Sequence, residues 1–238
     1  MLEIIGQGKD PTPINKHIKK IFEGINAIGA DSGTGKGADK VYLIKKILSN
    51  DGEVIELEGD LSVKTNIAVE GWINKLTVKM REALRKIFHR FNSDASSQKR
   101  TPDKEMMGTI IQKNLGQILI TMAQIEWTKQ MRDALKELSE KGAESNAMRK
   151  VKKMWQQKTT LLVECVEKQN LAMRDRQKII ALIIIEEHNR EVIEKIAANK
   201  AVNSVNHFEW QSQLKFEKEE TEGADQMYIV VKQLNANF

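Results

Sequence analysis

Residues 159–216 carry the longest helical periodicity in this 238-residue chain. Leu162, Cys165 and Val166 share one face there. After a polar interval at 168–170 and a charged segment at 174–177, the pattern resumes through Ile179, Ile180, Leu182, Ile183, Ile184, Val192, Ile193 and Ile196. The spacing predicts two long helices that form the spine of the fold. The apolar run 179–185 is too short to span a bilayer and is followed by Glu186, Glu187 and His188, so it reads as a helix buried among other helices. Phe208 and Trp210 are expected to anchor a further helix and to be buried against residues 179–196.

Upstream, Thr12-Pro13 reads as a helix start. Ile14, Ile18, Ile21, Phe22 and Ile25 supply its inward stripe, and the helix is expected to end near Gly29. Two β-prone runs, Val41, Leu43, Ile44, Ile47 and then Val54, Ile55, Leu57, flank Asn50-Asp51-Gly52 and predict a β-hairpin at 41–57. From Val69 a helical stripe runs through Trp72, Ile73, Leu76, Met80, Ala83, Leu84, Ile87, Phe88 and Phe91. A turn-rich polar loop is expected at 92–103. Periodicity returns through Met106, Ile110, Ile111, Leu115, Ile118, Leu119, Met122, Ile125, Met131, Leu135 and Leu138, with Gly116 marking a break. A turn at 142–146 then leads into a basic helix containing Trp155. After Gly223, Tyr228, Val230, Leu234, Ala236 and Phe238 alternate with period two, as an extended segment does. The expected fold is mainly α: an elongated multi-helix bundle with one β-hairpin and a C-terminal extended strand. Its parts are 1–91 with the hairpin, a polar loop at 92–103, a long-helix bundle at 104–222 and the strand at 223–238.

Composition sharpens this. With 40% hydrophobic, 30% charged and only 5% aromatic residues, the core is expected to be aliphatic. The net charge of +5 is spread among interleaved acidic and basic residues, which argues against a nucleic-acid partner. Lys79, Arg81, Arg85, Lys86 and Arg90 flank the stripe of 69–91, but its aromatics belong to the apolar face, so neither nucleic acid nor membrane is the expected partner. The start lacks the basic and then apolar regions of a signal peptide, and a cytosolic location is expected. A single cysteine, Cys165, excludes an internal disulfide and any multi-cysteine metal site, and its apolar face makes it a small core residue. His89 has no ligand-type neighbours at metal spacing and reads as a surface histidine.

Ser32-Gly33-Thr34-Gly35-Lys36 invites a nucleotide reading, but a phosphate-binding loop would need Gly at position 30 and Ser or Thr at 37, where Ala30 and Gly37 stand. A flexible surface loop following a helix is expected instead. Neither a nucleophile–base pair nor a paired-carboxylate pocket can be assembled, so no catalytic, cofactor-binding or metal residue is assigned and the chain is not expected to be an enzyme by itself.

Five segments, in order, carry a family resemblance: Leu2-Glu3-Ile4-Ile5-Gly6-Gln7, Val69-Glu70-Gly71-Trp72-Ile73, Gln124-Ile125-Glu126-Trp127-Thr128, the Glu186-Glu187-His188-Asn189-Arg190-Glu191 core of 185–193, and Phe208-Glu209-Trp210-Gln211-Ser212-Gln213-Leu214. Together they resemble the C-terminal part of the linker region of dynein heavy chains, just before the first AAA+ module. The chain departs from that pattern at His207, where Asp is usual, at Gln211, where an apolar residue is usual, and at Lys215 and Glu217, where Arg and an aromatic are usual. Asp175-Arg176-Gln177-Lys178-Ile179-Ile180 and the hairpin segment look slightly more like axonemal outer-arm chains.

The resemblance implies a mechanical element that lies across the AAA+ ring of the same heavy chain and changes its bend as ATP turns over. This produces the power stroke on microtubules, which it meets only through the rest of the motor. The expected location is the cytoplasm and cytoskeleton, including a cilium or flagellar axoneme. Trp72, Trp127, His188, Arg190, Phe208, Glu209, Trp210 and Leu214 are the expected structural residues, with His188 and Arg190 a polar pair satisfied by Glu186, Glu187 and Glu191. No cofactor is implied. The apolar start at 2–5 and the strand-like end at 238 predict a ring-proximal piece of a larger motor, most of it on the ring side of the moving hinge. The alternatives are a generic helical adaptor, which need not have all five segments, and a nucleotide-binding protein resting on 32–36 alone.

Overall fold

The computed structural model describes residues 18–32, 40–64, 69–97, 102–167, 170–220 and 227–232. The chain divides into two compact units, Met1–Phe91 and Asn92–Phe238. The expected helix start at 12–13, the segment 2–7 and most of the glycine-rich loop, 33–39, lie outside the described residues.

In the first unit a single helical turn, α1 (Ile18–Ile21), gives way to strand β1 (Ile25–Ser32), followed by β2 (Val41–Ser49) and β3 (Val54–Lys64). The three pair antiparallel in the order β1-β2-β3. The helix expected to continue to Gly29 therefore ends early, and the hairpin gains a third strand. Two features explain the misreading. Gly24 sits at φ +83°, a conformation that stops a helix and that residues with a Cβ rarely adopt. Beyond it, the β1–β2 register shifts between Ile25 and Ala27, so the buried Ile25 and Ile28 stand three apart, as on a helix, although the backbone is extended. Ser49, Asn50 and Gly52 close the β2–β3 turn: Gly52 N–H donates to Ser49 O at 3.2 Å, and Glu53 N–H to Ser49 Oγ at 3.0 Å.

Helix α2 (Val69–Ser97) carries Trp72, Leu76 and Ala83 into the same core as Ile18, Ile44, Ile47 and Val63. It runs six residues into the expected polar loop. Residues 98–101 lie outside the described residues, and Pro102 and Asp103 precede the next helix.

The second unit begins with α3 (Lys104–Lys113), capped by Asp103, whose carboxylate accepts from Met106 N–H at 3.0 Å. After a break at Asn114 and Leu115, helix α4 (Gly116–Lys141) follows, as the position of Gly116 predicts. A 3₁₀ turn at Gly142–Glu144 leads to α5 (Ala147–Val166), and α6 (Met173–Ala198) completes the long helices. One turn, α7 (Phe208–Gln211), precedes the antiparallel pair β4 (Lys215–Glu220) and β5 (Met227–Lys232). The mainly α fold with a C-terminal extended segment is thus present. The helix expected around 208–216 stops after one turn because its next residues enter a strand.

Two cations near the start of α6 hold neighbouring helix ends. Arg176 Nη1 donates to Val166 O at 2.8 Å, at the last residue of α5, and the buried Lys178 Nζ donates to Ile111 O at 3.3 Å and Asn114 O at 2.7 Å, at the end of α3. Those carbonyls have no partner within their own helices, and a cation there also meets the negative end of the helix dipole.

Candidate functional site

The core of the second unit gathers Trp127, Met131 and Leu135 from α4, Val151 and Trp155 from α5, Val192, Ile193 and Ile196 from α6, and Trp210 from α7. Trp210 stacks on Trp127 in a tilted arrangement, with ring centroids 5.4 Å apart. Both indoles are buried, and Trp127 Nε1 has no hydrogen-bond partner among the described residues.

Around α7 the polar groups are tied to one another. His207 is the N-cap residue, and its Nδ1 accepts from Glu209 N–H at 3.3 Å. Glu209 accepts from Asn199 Nδ2 at 2.7 Å, which fastens the turn to the C-cap of α6. Lys215 Nζ turns back to the α7 carbonyls, donating to Gln211 O at 2.7 Å and Trp210 O at 3.4 Å, and lies over the Trp210 ring. Burial pushes the Lys215 ammonium down from its ordinary range, and Arg132 adds to that effect while Glu217 opposes it.

A second polar group sits deeper. Glu186, on α6, is 0% exposed. Its Oε2 accepts from Trp155 Nε1 at 2.7 Å and from Asn189 Nδ2 at 3.1 Å, while Lys158 Nζ lies 2.7 Å from its Oε1 and 2.7 Å from Glu126 Oε2. Lys158 thereby joins α4, α5 and α6. Burial opposes the Lys158 charge, but Glu126 and Glu186 outweigh it and leave its pKa raised. A carboxylate inside an aliphatic core is tolerable only when paired and hydrogen-bonded in this way.

The strand pair is docked on α4. Phe216 N–H donates to Thr128 Oγ1 at 3.0 Å. One helical turn further along α4, Arg132 Nη2 bonds Glu217 Oε1, and the other Glu217 oxygen accepts from Lys232 Nζ of β5 at 2.9 Å. Burial would raise Glu217, but the hydrogen bond from Lys232 and the charge of Arg132 prevail and hold its carboxyl below the usual range.

The residues singled out from sequence fall unevenly. Trp127, Glu209 and Trp210 come together. Trp72 belongs to the core of the first unit. Phe208 is 52% exposed rather than buried against 179–196: in a single helical turn, residues two apart face away from each other, so burying Trp210 turns Phe208 out. Leu214 is also exposed. His188 is exposed, whereas Arg190 pairs with Glu187, one of its expected partners, at 2.7 Å and also with Glu194 at 3.0 Å. Hydrogen bonding to Glu187 holds the Arg190 guanidinium even higher than its usual range. Of the predicted stripe on α6, Ile180 and Ile184 face outward. Sequence reasoning passed over Lys158, gave Glu186 as a partner of His188 and Arg190 and not of Trp155, and noted Asn189 and Glu217 only as positions of the family pattern. The available signal was Glu186 at helical spacing from Leu182, Asn189 and Ile193, on the inward face.

The glycine-rich segment follows strand β1 and not a helix, yet it joins two antiparallel strands, whereas a phosphate-binding loop joins a strand to a helix. An open depression nearby, lined by Gly29, Asp31, Lys45 and Glu56 among others, is bridged by a Lys45–Asp31 ion pair at 2.6 Å that holds the Asp31 carboxyl below its usual range. Among the described residues no three metal-ligating side chains converge, and no helix is long and apolar enough to cross a membrane.

Comparison with known proteins adds relatives. Residues 1–91 match the family described as "Dynein heavy chain, N-terminal region 2". The chain is 35% identical over 221 residues, 91% of its length, to the dynein-1-beta heavy chain of the flagellar inner arm I1 complex of Chlamydomonas reinhardtii. It is 29% identical over 238 residues, all of its length, to human dynein axonemal heavy chain 2. It is also 26% identical over 217 residues to human cytoplasmic dynein 2 heavy chain 1, covering 91% of this chain. It spans only 4% of the first of these relatives and 5% of the other two.

Proposed function

Because the chain belongs to the dynein heavy chain family, we propose that it is the ring-proximal part of the linker, a mechanical element of an ATP-driven microtubule motor whose catalytic modules lie elsewhere in the heavy chain. The single observation that best supports this reading is the buried Glu186, bound from α5 and joined through Lys158 to α4, because it fixes three long helices in one register. A close-packed body with a polar tie of this kind displaces as a unit and bends only where contacts are few. Its partner in this reading is the AAA+ ring of the same heavy chain. The microtubule is reached through the rest of the motor, and the cytoskeleton, in cytoplasm or in a cilium, is the proposed location. Relatives named axonemal and cytoplasmic both occur among the matches, so the proposal names no dynein class.

A helical adaptor without a motor role is the competing reading, and matches along 91–100% of the chain to motor heavy chains weigh against it. The discriminating experiment removes residues 102–220 from the parent heavy chain and measures nucleotide binding and microtubule gliding. Retained nucleotide binding with lost gliding is expected. Gliding at the parental speed would refute the linker assignment.

A further inference from the structure

Three successive residues leaving α7 are held by three different parts of the unit. Lys215 is turned back onto the α7 carbonyls, Phe216 N–H reaches Thr128 on α4, and the Glu217 carboxylate is shared between Arg132 on α4 and Lys232 on β5. Thr128 and Arg132 stand four apart, hence on one face of α4, so backbone and side-chain contacts fall along a single line of that helix. Lys232 pairs in register with Lys215, two positions from Glu217, and the Glu217–Lys232 bond is therefore a diagonal cross-strand pair. Each Glu217 oxygen serves a different element, and the carboxylate side chain is only 20% exposed. Charge-assisted bonds at a half-buried site are stronger than surface ion pairs.

We propose that Glu217 is a positioning residue that makes the β4–β5 pair part of the α4 body, so that displacement arriving at the strands is passed into α4. This rests on the linker reading above. Helix α6 shares a core with α4 and is tied to it and to α5 through Lys158 and Glu186. Breaking the carboxylate contacts leaves that tie intact and loosens only the strands, which keep the Phe216–Thr128 bond.

The test uses Glu217→Gln and Arg132→Gln, with Arg132→Lys as the conservative variant. In the 238-residue chain, amide hydrogen exchange at 216–220 and 227–232 should quicken about tenfold, or about 1.4 kcal/mol, in both Gln variants. Residues 173–198 should keep their protection, which also reports that the bundle remains folded, and Arg132→Lys should recover part of the slow exchange. In the parent heavy chain, both Gln variants should shorten the microtubule distance travelled per ATP consumed. Unchanged exchange at the strands would overturn the proposal, and so would quickened exchange with unchanged distance per ATP. The deletion motor described above separates the two levels: if it fails to glide while the Gln variants couple normally, the latch is wrong and the linker reading stands.

Discussion

Trp155 on α5 donates its indole N–H to the fully buried carboxylate of Glu186 on α6, at 2.7 Å. That carboxylate also faces the Lys158 ammonium, which reaches back to Glu126 on α4. Removing one member leaves the remaining buried groups short of a partner: Lys158 without Glu186 keeps only Glu126, and Glu186 without Lys158 has no counter-charge. Glu186→Leu is therefore expected to cost about 3 kcal/mol, and Lys158→Met added to it should recover a substantial part of that loss. Urea denaturation of the two single variants and the double variant measures the coupling, and additive effects would show that the pair is not coupled.

Trp210 and Phe208 separate by burial. Trp210→Ala removes a buried side chain that stacks on Trp127 within the core that also holds Val192 and Ile196, and should lower stability by about 3–5 kcal/mol. Phe208→Ala removes a ring that is half in solvent and should cost less than about 1 kcal/mol. Equal losses in thermal denaturation would contradict this arrangement.

Much of the second unit is legible in the sequence, because α4, α5 and α6 are long and their buried residues recur at helical spacing. Buried Ile118, Leu135, Leu162, Ile179 and Ile193 all lie on predicted stripes. Strand β4 was not legible: Lys215-Phe216-Glu217-Lys218-Glu219-Glu220 has almost no apolar residue, and its pairing is specified by contacts with Thr128, Arg132 and Lys232, far away in sequence. Strand β1 was misread because its register shift puts buried isoleucines at a helix-like spacing. Of the candidate site, the aromatic and acidic residues near 208–210 could be found from sequence. For the Glu186 tie the sequence offers only the helical spacing of Glu186 from Leu182, Asn189 and Ile193; its donors Trp155 and Lys158 stand on another helix and cannot be read from that spacing.

Glu217 makes stability depend on pH in a definite direction. Its carboxyl titrates below the usual range when folded, so the unfolded chain binds its proton first as acid is added. The stability it contributes is complete above the unfolded carboxyl range, near pH 4–5, and is lost as pH falls through the lower folded value. The gap in stability between the parent chain and Glu217→Gln should be constant from pH 7 to about 5 and close below that. A gap independent of pH in denaturation series across this range would contradict the assignment.

His207 caps α7 with an imidazole nitrogen at 3.3 Å, longer than a carboxylate cap usually makes. His207→Asp places a better acceptor beside the same N–H groups and a negative charge at the start of the turn. It should stabilise the chain by about 0.5–1 kcal/mol, read as an increase in thermal midpoint, and a decrease would mean that the imidazole makes packing contacts worth more than the cap.

The central claim is that this body transmits displacement and performs no chemistry itself. The most direct measurement is the distance a microtubule glides per ATP hydrolysed by the parent heavy chain carrying Trp210→Ala. Trp210 lies where α4, α6 and α7 meet. The account predicts that the distance per ATP falls while nucleotide affinity stays at the parental level. Parental distance per ATP alongside weakened nucleotide binding would contradict it, since the residue would then serve the nucleotide site and not the lever.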